Sequence, residues 1–339
     1  ARVRLHRAAS KGVADRAGLV AKEEPMMHVS LTGPMLEREW RPDELQGPRT
    51  RLYIALGWRM PTGADLEVAT HCPRVVVEDR AWCPPRHPDG GGKPDPIDRE
   101  RLLAWARRGD LDGVPIRCLD GSPCSRWLVA LDIEHRVTST YSVLEQPVYD
   151  ASYREVGRRK PSHAERLENA HEIHGHVVAL RAELPGVEVI NYGGCPAGPA
   201  FWPLVGENQA QLDDWRAGND FAMANCWHAL DTVTVSLYTP AADAIGPRWR
   251  KYADGMLEEA RRLAGYATDT PRRVYAFVRA SLARPGYFPL SGAEVEEQIQ
   301  YLARHPLRPA GVVVWEPPVP FGLAQGEIVA GIRAAAEAI

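Results

Sequence analysis

No apolar run in the 339 residues approaches the ~20 needed to cross a bilayer, so no membrane partner is expected. Charge of one sign is also missing. Lys and Arg number 41 against 44 Asp and Glu, a net charge of −3, which argues against a nucleic-acid surface. There is no Cys-x-x-Cys pair to build a zinc ribbon and no G-x-G-x-x-G after an early strand to cradle a dinucleotide. There is no P-loop, no G-x-S-x-G elbow and no reactive-cysteine pattern, which weakens the classes built on those nucleophiles. Short repeats and low-complexity tracts are lacking too, and a composition 45% hydrophobic and 25% charged is that of a globular chain. Six cysteines, at 72, 83, 118, 124, 195 and 226, permit disulfides without requiring them. With a removed leader as an expectation at the amino terminus, they favour a secreted or periplasmic protein.

What is present is a series of short β-rich runs: 26–31, 51–56, 74–79, 128–134, 187–192, 232–238, 273–279 and 311–316. Helical patterns fill several of the gaps, at about 98–108, 161–184, 206–228, 248–265 and 291–304, with a last one at 324–338. Strand followed by helix, repeated, implies parallel strands joined by right-handed crossovers. Eight such units close into an α/β (β/α)8 TIM barrel. The expectation is one barrel domain over 1–339, with residues 1–24 as an amino-terminal extension and long loops on the carboxyl face. The Pro/Gly-rich stretch at 84–97 is one such loop.

Period-two alternation inside the strands sorts their residues into two faces. In 128–134, Val129, Leu131 and Ile133 fall on one face, and Leu128, Ala130, Asp132 and Glu134 on the other. In 232–238, Val233, Val235 and Leu237 oppose Thr232, Thr234, Ser236 and Tyr238. An apolar outer face under helices and a more polar inner face suit a barrel lumen. The carboxyl ends of the strands, where barrel sites are built, carry Glu78, Asp132, Glu134, Asn191, Tyr192, Tyr238, Arg279, Trp315 and Glu316.

Asp132-Ile133-Glu134 is the strongest chemical signal. Two carboxylates about 6–7 Å apart on one strand face raise the pKa of one of them, through repulsion and desolvation. A protonated acid beside an ionised one is what glycoside cleavage requires. Two schemes fit. In one, a second carboxylate such as Glu316 is the nucleophile. In the other, the 2-acetamido oxygen of the substrate attacks while Glu134 protonates the leaving oxygen and Asp132 holds the acetamido group.

These residues resemble the hyaluronidase family, with the chitinase-type barrels as more distant relatives of the same pattern. Asp-x-Glu closes the strand at 128–134, tyrosines close the next two strands, and a tryptophan lies in the strand Gly311–Glu316. The resemblance covers about 125–320 and implies a retaining, substrate-assisted glycosidase. It makes Glu134 the proton donor, Asp132 the acetamido support, Tyr192 and Tyr238 its hydrogen-bonding partners, and Trp315 the floor of the subsite. It also implies a carbohydrate substrate with 2-acetamido sugars, and no metal or organic cofactor. Ile133 replaces the family's tryptophan, and His135-Arg136 follows the glutamate in place of an acidic-aromatic tail.

The remaining features have plainer readings beside them. His171, His174 and His176 have spacings of three and two, unlike the i, i+4 pair of a zincin, and read as histidines on a helix. Glu134 and His135 with Glu78 or Glu316 are the alternative, a metal-dependent barrel. Trp202 sits after the strand at 187–192 as a candidate sugar platform, whereas Trp227 reads as core. Arg279 suits a substrate carboxylate or Asp132 as partner. A glycan-binding barrel without turnover is the further alternative, and the oligomeric state is left open.

Overall fold

Among the described residues, runs of Val, Ile and aromatic side chains form the strands, as their β propensity favours. The computed structural model describes residues 51–56, 76–77, 100, 110–111, 114–115, 128–132, 136–149, 155–183, 185, 188–198, 201–206, 208–239, 245–282, 288–316 and 324–338. The chain divides into two compact units, Ala1–Glu37 and Arg38–Ile339, and every described residue belongs to the second.

Seven parallel strands carry the fold: β1 (Arg51–Leu56), β2 (Val76–Val77), β5 (Leu128–Asp132), β8 (Glu188–Tyr192), β9 (Thr232–Ser236), β10 (Arg273–Arg279) and β11 (Gly311–Glu316). They are ordered β2-β5-β8 in one sheet and β9-β10-β11-β1 in a second. The sheets adjoin where Thr232 Oγ1 donates to the Val189 carbonyl at 2.8 Å. Two antiparallel hairpins are added, β3 (Asp110–Leu111) with β4 (Val114–Pro115), and β6 (Gln146–Tyr149) with β7 (Glu155–Arg159).

The mixed α/β architecture with parallel strands agrees with the sequence. The closing ladder of a barrel, between β1 and β2, is not among the described pairings. The first described strand nevertheless meets the last, since Arg51 pairs with Gly311 and Leu56 with Glu316. β11 is paired with β1 on one side and with β10 on the other. The expected strand at 26–31 and the loop at 84–97 lie outside the described residues.

The helices are α1 (His163–Glu183), α2 (Phe201–Gly206), α3 (Gln209–Asn225), α4 (Pro247–Ala264), α5 (Gly292–Arg304) and α6 (Ala324–Ala338), with a 3₁₀ turn at Trp227–Ala229. α1 starts where Ser162 and Glu165 cap each other, the Ser162 hydroxyl accepting from the Glu165 amide and Glu165 accepting from the Ser162 amide. α5 starts on the same device, built from Ser291 and Glu294. α4 turns Trp249, Tyr252, Ala253, Met256, Leu257, Ala260 and Leu263 inward, the three-four spacing of an amphipathic helix.

Two hydrophobic clusters separate by strand parity. Leu131, Val189, Val233, Val235, Val274, Ala276, Val278, Val312 and Val314 pack outward with the helices. Ala130, Ile190, Tyr275, Phe277 and Val313 pack on the opposite face, with Tyr192 and Tyr238 against them. Each fully buried Val, Leu or Ile contributes about 1.5–3 kcal/mol, so this parity locks the register of every strand. On the inner side, Glu188 and Arg273 form a 2.8 Å ion pair near the amino ends of β8 and β10.

Candidate active site

The site is built at the carboxyl ends of β5, β8, β9 and β10. Asp132, the last residue of β5, is in register with Tyr192, the last of β8. Tyr192 stacks at a tilt on Tyr238, ring centroids 5.6 Å apart, and meets Phe277 edge-on at 5.1 Å. The Arg279 guanidinium lies over the Tyr238 ring, 5.2 Å from its centroid. The structure therefore brings Tyr192, Tyr238 and Arg279 together beside the backbone position of Asp132. Trp315 holds the register position of Arg279 on the neighbouring strand, two residues beyond the inner-face Val313.

Each member has local supports. Tyr238 follows Leu237, whose amide donates to the Phe277 carbonyl at 2.8 Å and whose carbonyl accepts from Trp249 Nε1 at 3.0 Å. The Tyr252 hydroxyl donates to the Ser236 carbonyl at 2.6 Å, so α4 holds the end of β9 from outside. Burial, with the Tyr192 phenol nearby, pushes the Tyr252 pKa well up and keeps it a neutral donor. Arg279 is buried, and its strand turns back at once. Ala280 accepts from Leu290, and Ser281 bridges Pro289.

Tyr192 is fixed by the turn that follows. Gly193 has a positive φ of 66°, a conformation that favours glycine. A Cβ on Gly194 would lie 2.4 Å from Trp227, so the indole and this backbone touch directly. Asn191 is placed differently from the expectation of a mouth-lining group. It is buried, and with its amide oriented to satisfy both neighbours its oxygen accepts from Cys195 N at 2.9 Å and Gly194 N at 3.3 Å. Parity explains the correction, because a residue adjacent to Tyr192 on a strand faces the helices. Glu316 has the register parity of the outward Val312 and Val314, which separates its position from that of Trp315.

A polar network missed by sequence reasoning holds the same turn. The Ala197 amide donates to Asn219 Oδ1 at 2.9 Å, and Trp215 Nε1 donates to the Ala197 carbonyl at 2.7 Å. Asn219 Nδ2 donates to the buried Glu259, which Arg262 grips with two nitrogens at 2.7 and 2.8 Å. The only signal was polar residues on the inward stripes of α3 and α4, which single-sequence patterning reads as surface.

Glu134 and Glu78 lie outside the described residues, as do the side chains of Asp132, Trp202, Trp315 and Glu316. Trp202 belongs to α2, following the turn after β8. Trp227 is buried and donates to Thr138 Oγ1 at 3.3 Å, as its core reading expected. His174 stacks on His228 with centroids 4.8 Å apart, and its Nδ1 lies 3.3 Å from the Cys226 carbonyl. Cys195 and Cys226 are buried free thiols whose pKa values burial raises; the other four cysteines lie outside the described residues. Among the described residues no group of three or more His, Cys, Asp and Glu side chains is arranged to hold a metal ion, and no helix is long and apolar enough to cross a membrane.

Comparison with known proteins agrees with this geometry at the level of fold. No family model matches the chain, and no curated protein matches it by sequence. A second crystal structure of bee venom hyaluronidase, in complex with a hyaluronic acid tetramer, aligns with TM-score 0.40 at 13% identity over 62% of this chain and 70% of that one. The monoclinic crystal structure of bee venom hyaluronidase aligns with TM-score 0.54 at 11% identity, over 84% of this chain and 99% of that one. The chain is thus distantly similar in fold to a hyaluronidase, the family its strand-end residues resemble.

Proposed function

We propose that the protein is a glycoside hydrolase acting on a polysaccharide or glycoconjugate that contains 2-acetamido sugars, glycosaminoglycans being the class that fits best. The observation that carries the reading is the register of Asp132 with Tyr192 beside Tyr238 and Arg279 at one strand-end mouth. The hyaluronidase-like fold supports it. An extracellular or periplasmic location suits such a substrate.

In this reading catalysis is retaining and substrate-assisted. Glu134 gives its proton to the glycosidic oxygen as the bond to C1 breaks. The acetamido carbonyl oxygen closes on C1, and Asp132 stabilises the positive charge that develops on the acetamido nitrogen. Water then attacks C1 from the vacated side, its proton passing to Glu134, as the bond from C1 to the acetamido oxygen breaks and returns its electrons to the acetamido group, so acid and substrate group are both restored. Tyr192 and Tyr238 offer phenol hydrogen bonds to the acetamido group, and Trp315 supplies an apolar floor. Arg279 places a cation at the mouth, which favours an anionic sugar.

Glu316 as the nucleophile is the variant within the same class, and it would accept sugars lacking the acetamido group. The test is hydrolysis of paired aryl glycosides, with and without the 2-acetamido group, and of hyaluronan, each with and without EDTA. Cleavage confined to 2-acetamido substrates, unaffected by EDTA and lowered at least 100-fold in Glu134→Gln, is the expected result. Cleavage of plain glycosides, loss of turnover in EDTA, or near-normal turnover in Glu134→Gln would refute it.

A further inference from the structure

The inner face of β9 changes from closed to open at one residue. Thr232 and Thr234 are buried, whereas Ser236 and Tyr238, on the same face, are partly exposed. The outward residues Val233, Val235 and Leu237 pack under the helices. α4 closes the strand from that side, where the Tyr252 hydroxyl donates to the Ser236 carbonyl at 2.6 Å. β10 lies along one edge, with Phe277 in register with Ser236. The exposure of Ser236 is therefore toward the mouth. The flanking strands open at the same level. Ile190 on β8 and Phe277 on β10 are buried completely, while Tyr192, two residues above Ile190, is partly exposed. The mouth thus has an apolar floor of Ile190 and Phe277 and a rim of Tyr192, Tyr238 and Arg279, with Ser236 between floor and rim.

From this burial gradient we infer that Ser236 is a specificity-determining residue that sets the length of the N-acyl group the mouth accepts. The inference takes its substrate class from the glycosidase reading. In that reading the polar atoms of the 2-acetamido group lie at the rim, against the phenols of Tyr192 and Tyr238. Its methyl group then points down, away from those hydroxyls and onto the apolar floor, where it displaces water from the Phe277 and Ile190 side of the mouth. Ser236 stands one strand repeat below Tyr238, about 6.5–7 Å along β9, so its side chain borders the space that the acyl tail enters. Among Thr232, Thr234, Ser236 and Tyr238, the four residues of this face, serine is the smallest. A larger side chain at 236 would fill the space beside Phe277, its register partner. One methylene in a fitted apolar pocket changes discrimination about 10- to 200-fold, so the size of this one residue is enough to select between neighbours in an acyl series.

The test compares wild type with Ser236→Val, Ser236→Ala and Thr234→Val. The probes are N-formyl, N-acetyl, N-propionyl and N-butyryl glucosamine, whose Kd values are read by ligand-observed NMR titration, and their 4-nitrophenyl glycosides, whose kcat/KM is read by absorbance. Valine is a good strand former, and urea unfolding checks that each variant keeps the fold. Wild type is expected to favour the N-acetyl sugar. Ser236→Val should weaken N-acetyl relative to N-formyl by about 10-fold or more in both measurements, and Ser236→Ala should raise N-propionyl relative to N-acetyl. Thr234→Val lies beneath the floor and should leave the order of the four unchanged. An unchanged order in folded Ser236→Val overturns the inference. So does an equal shift in Thr234→Val, or no binding of any of the four sugars by wild type. If Ser236→Val does not fold, Ser236→Ala decides alone, and an unchanged ratio of N-propionyl to N-acetyl overturns the inference. Binding that follows residue 236 in a wild type that hydrolyses none of the four glycosides upholds the acyl pocket and overturns the glycosidase reading, so the two failures are told apart.

Discussion

Gly218→Ala sets two opposing effects against each other. Gly218 lies inside α3, where replacing glycine by alanine ordinarily stabilises a helix by about 1 kcal/mol. Here the added Cβ would stand 2.5 Å from Ser139 Oγ, 2.5 Å from the Tyr141 amide nitrogen and 2.9 Å from Tyr141 Cα. The serine hydroxyl can rotate away. The Tyr141 backbone cannot retreat cheaply, because Arg166 holds the carbonyls on both sides of it, at Ser139 and Leu144. Relieving the contact needs a shift of roughly 1 Å in a close-packed layer, and overpacking of this kind costs about 1–3 kcal/mol. With backbone rather than a side-chain end in the way the cost falls in the upper part of that range, so the steric term wins, for a net loss of up to about 2 kcal/mol. Equilibrium urea unfolding measures it, with Gly157→Ala as the control. Nothing lies within 4 Å of a Cβ at Gly157, so that variant should remain within about 0.5 kcal/mol of wild type. A Gly218→Ala protein more stable than wild type would show that propensity alone governs the site and that the segment against α3 is soft.

Arg166→Met strands the carbonyls of Pro161, Ser139 and Leu144, each worth about 1–3 kcal/mol when buried and unpaired. A loss of at least about 3 kcal/mol in the same assay is expected, and a loss under about 1 kcal/mol would refute the accounting. The Tyr301 hydroxyl, half-buried and bonded to Asp254, is pushed up to about 12. A raised phenol pKa adds stability below the unfolded value near 10, and that stability is lost as pH rises from there towards 12. The absorbance difference at ~295 nm between wild type and Tyr301→Phe should therefore titrate near 12, and a midpoint near 10 would contradict the burial argument. Arg159 and two groups of Ser162 hold the Glu165 carboxyl well below the usual carboxylate range. Its contribution is present above the unfolded pKa of about 4.3 and is lost as pH falls below it. The pair is partly exposed, so Glu165→Gln should cost only about 0.5–1 kcal/mol at neutral pH, and that cost should shrink as pH falls from about 4 to 2. A cost that does not change over that range would place the effect elsewhere.

The parallel strands and the helices around them were legible because each buries one face and so declares its period. Val233, Val235 and Leu237 against Thr232, Thr234 and Ser236 is the plainest case, and the two clusters separate as that alternation requires. The same rule made Tyr192, Tyr238 and Arg279 readable as neighbours. It was applied too loosely to Asn191, which adjoins Tyr192 and so faces the other way. The β6–β7 hairpin was invisible because Gln146–Tyr149 contains a proline and neither strand alternates cleanly. The Asn219–Glu259–Arg262 network was illegible for a different reason. Asn219 and Glu259 sit on separate helices, and a charged residue reads as solvated until its partner's position is known.

The seam between β1 and β11 imposes a delay on biosynthesis. Arg51 finds its ladder partner only when Gly311 has been made, and at 5–20 residues per second that interval is about 10–50 s. Throughout it one edge of β1 has no native strand to pair with, and an open edge recruits whatever strand is near. Chains stalled or truncated before residue 311 should therefore aggregate, and yield in a cell should depend on chaperones that occupy nascent strands more than on the stability of the finished fold.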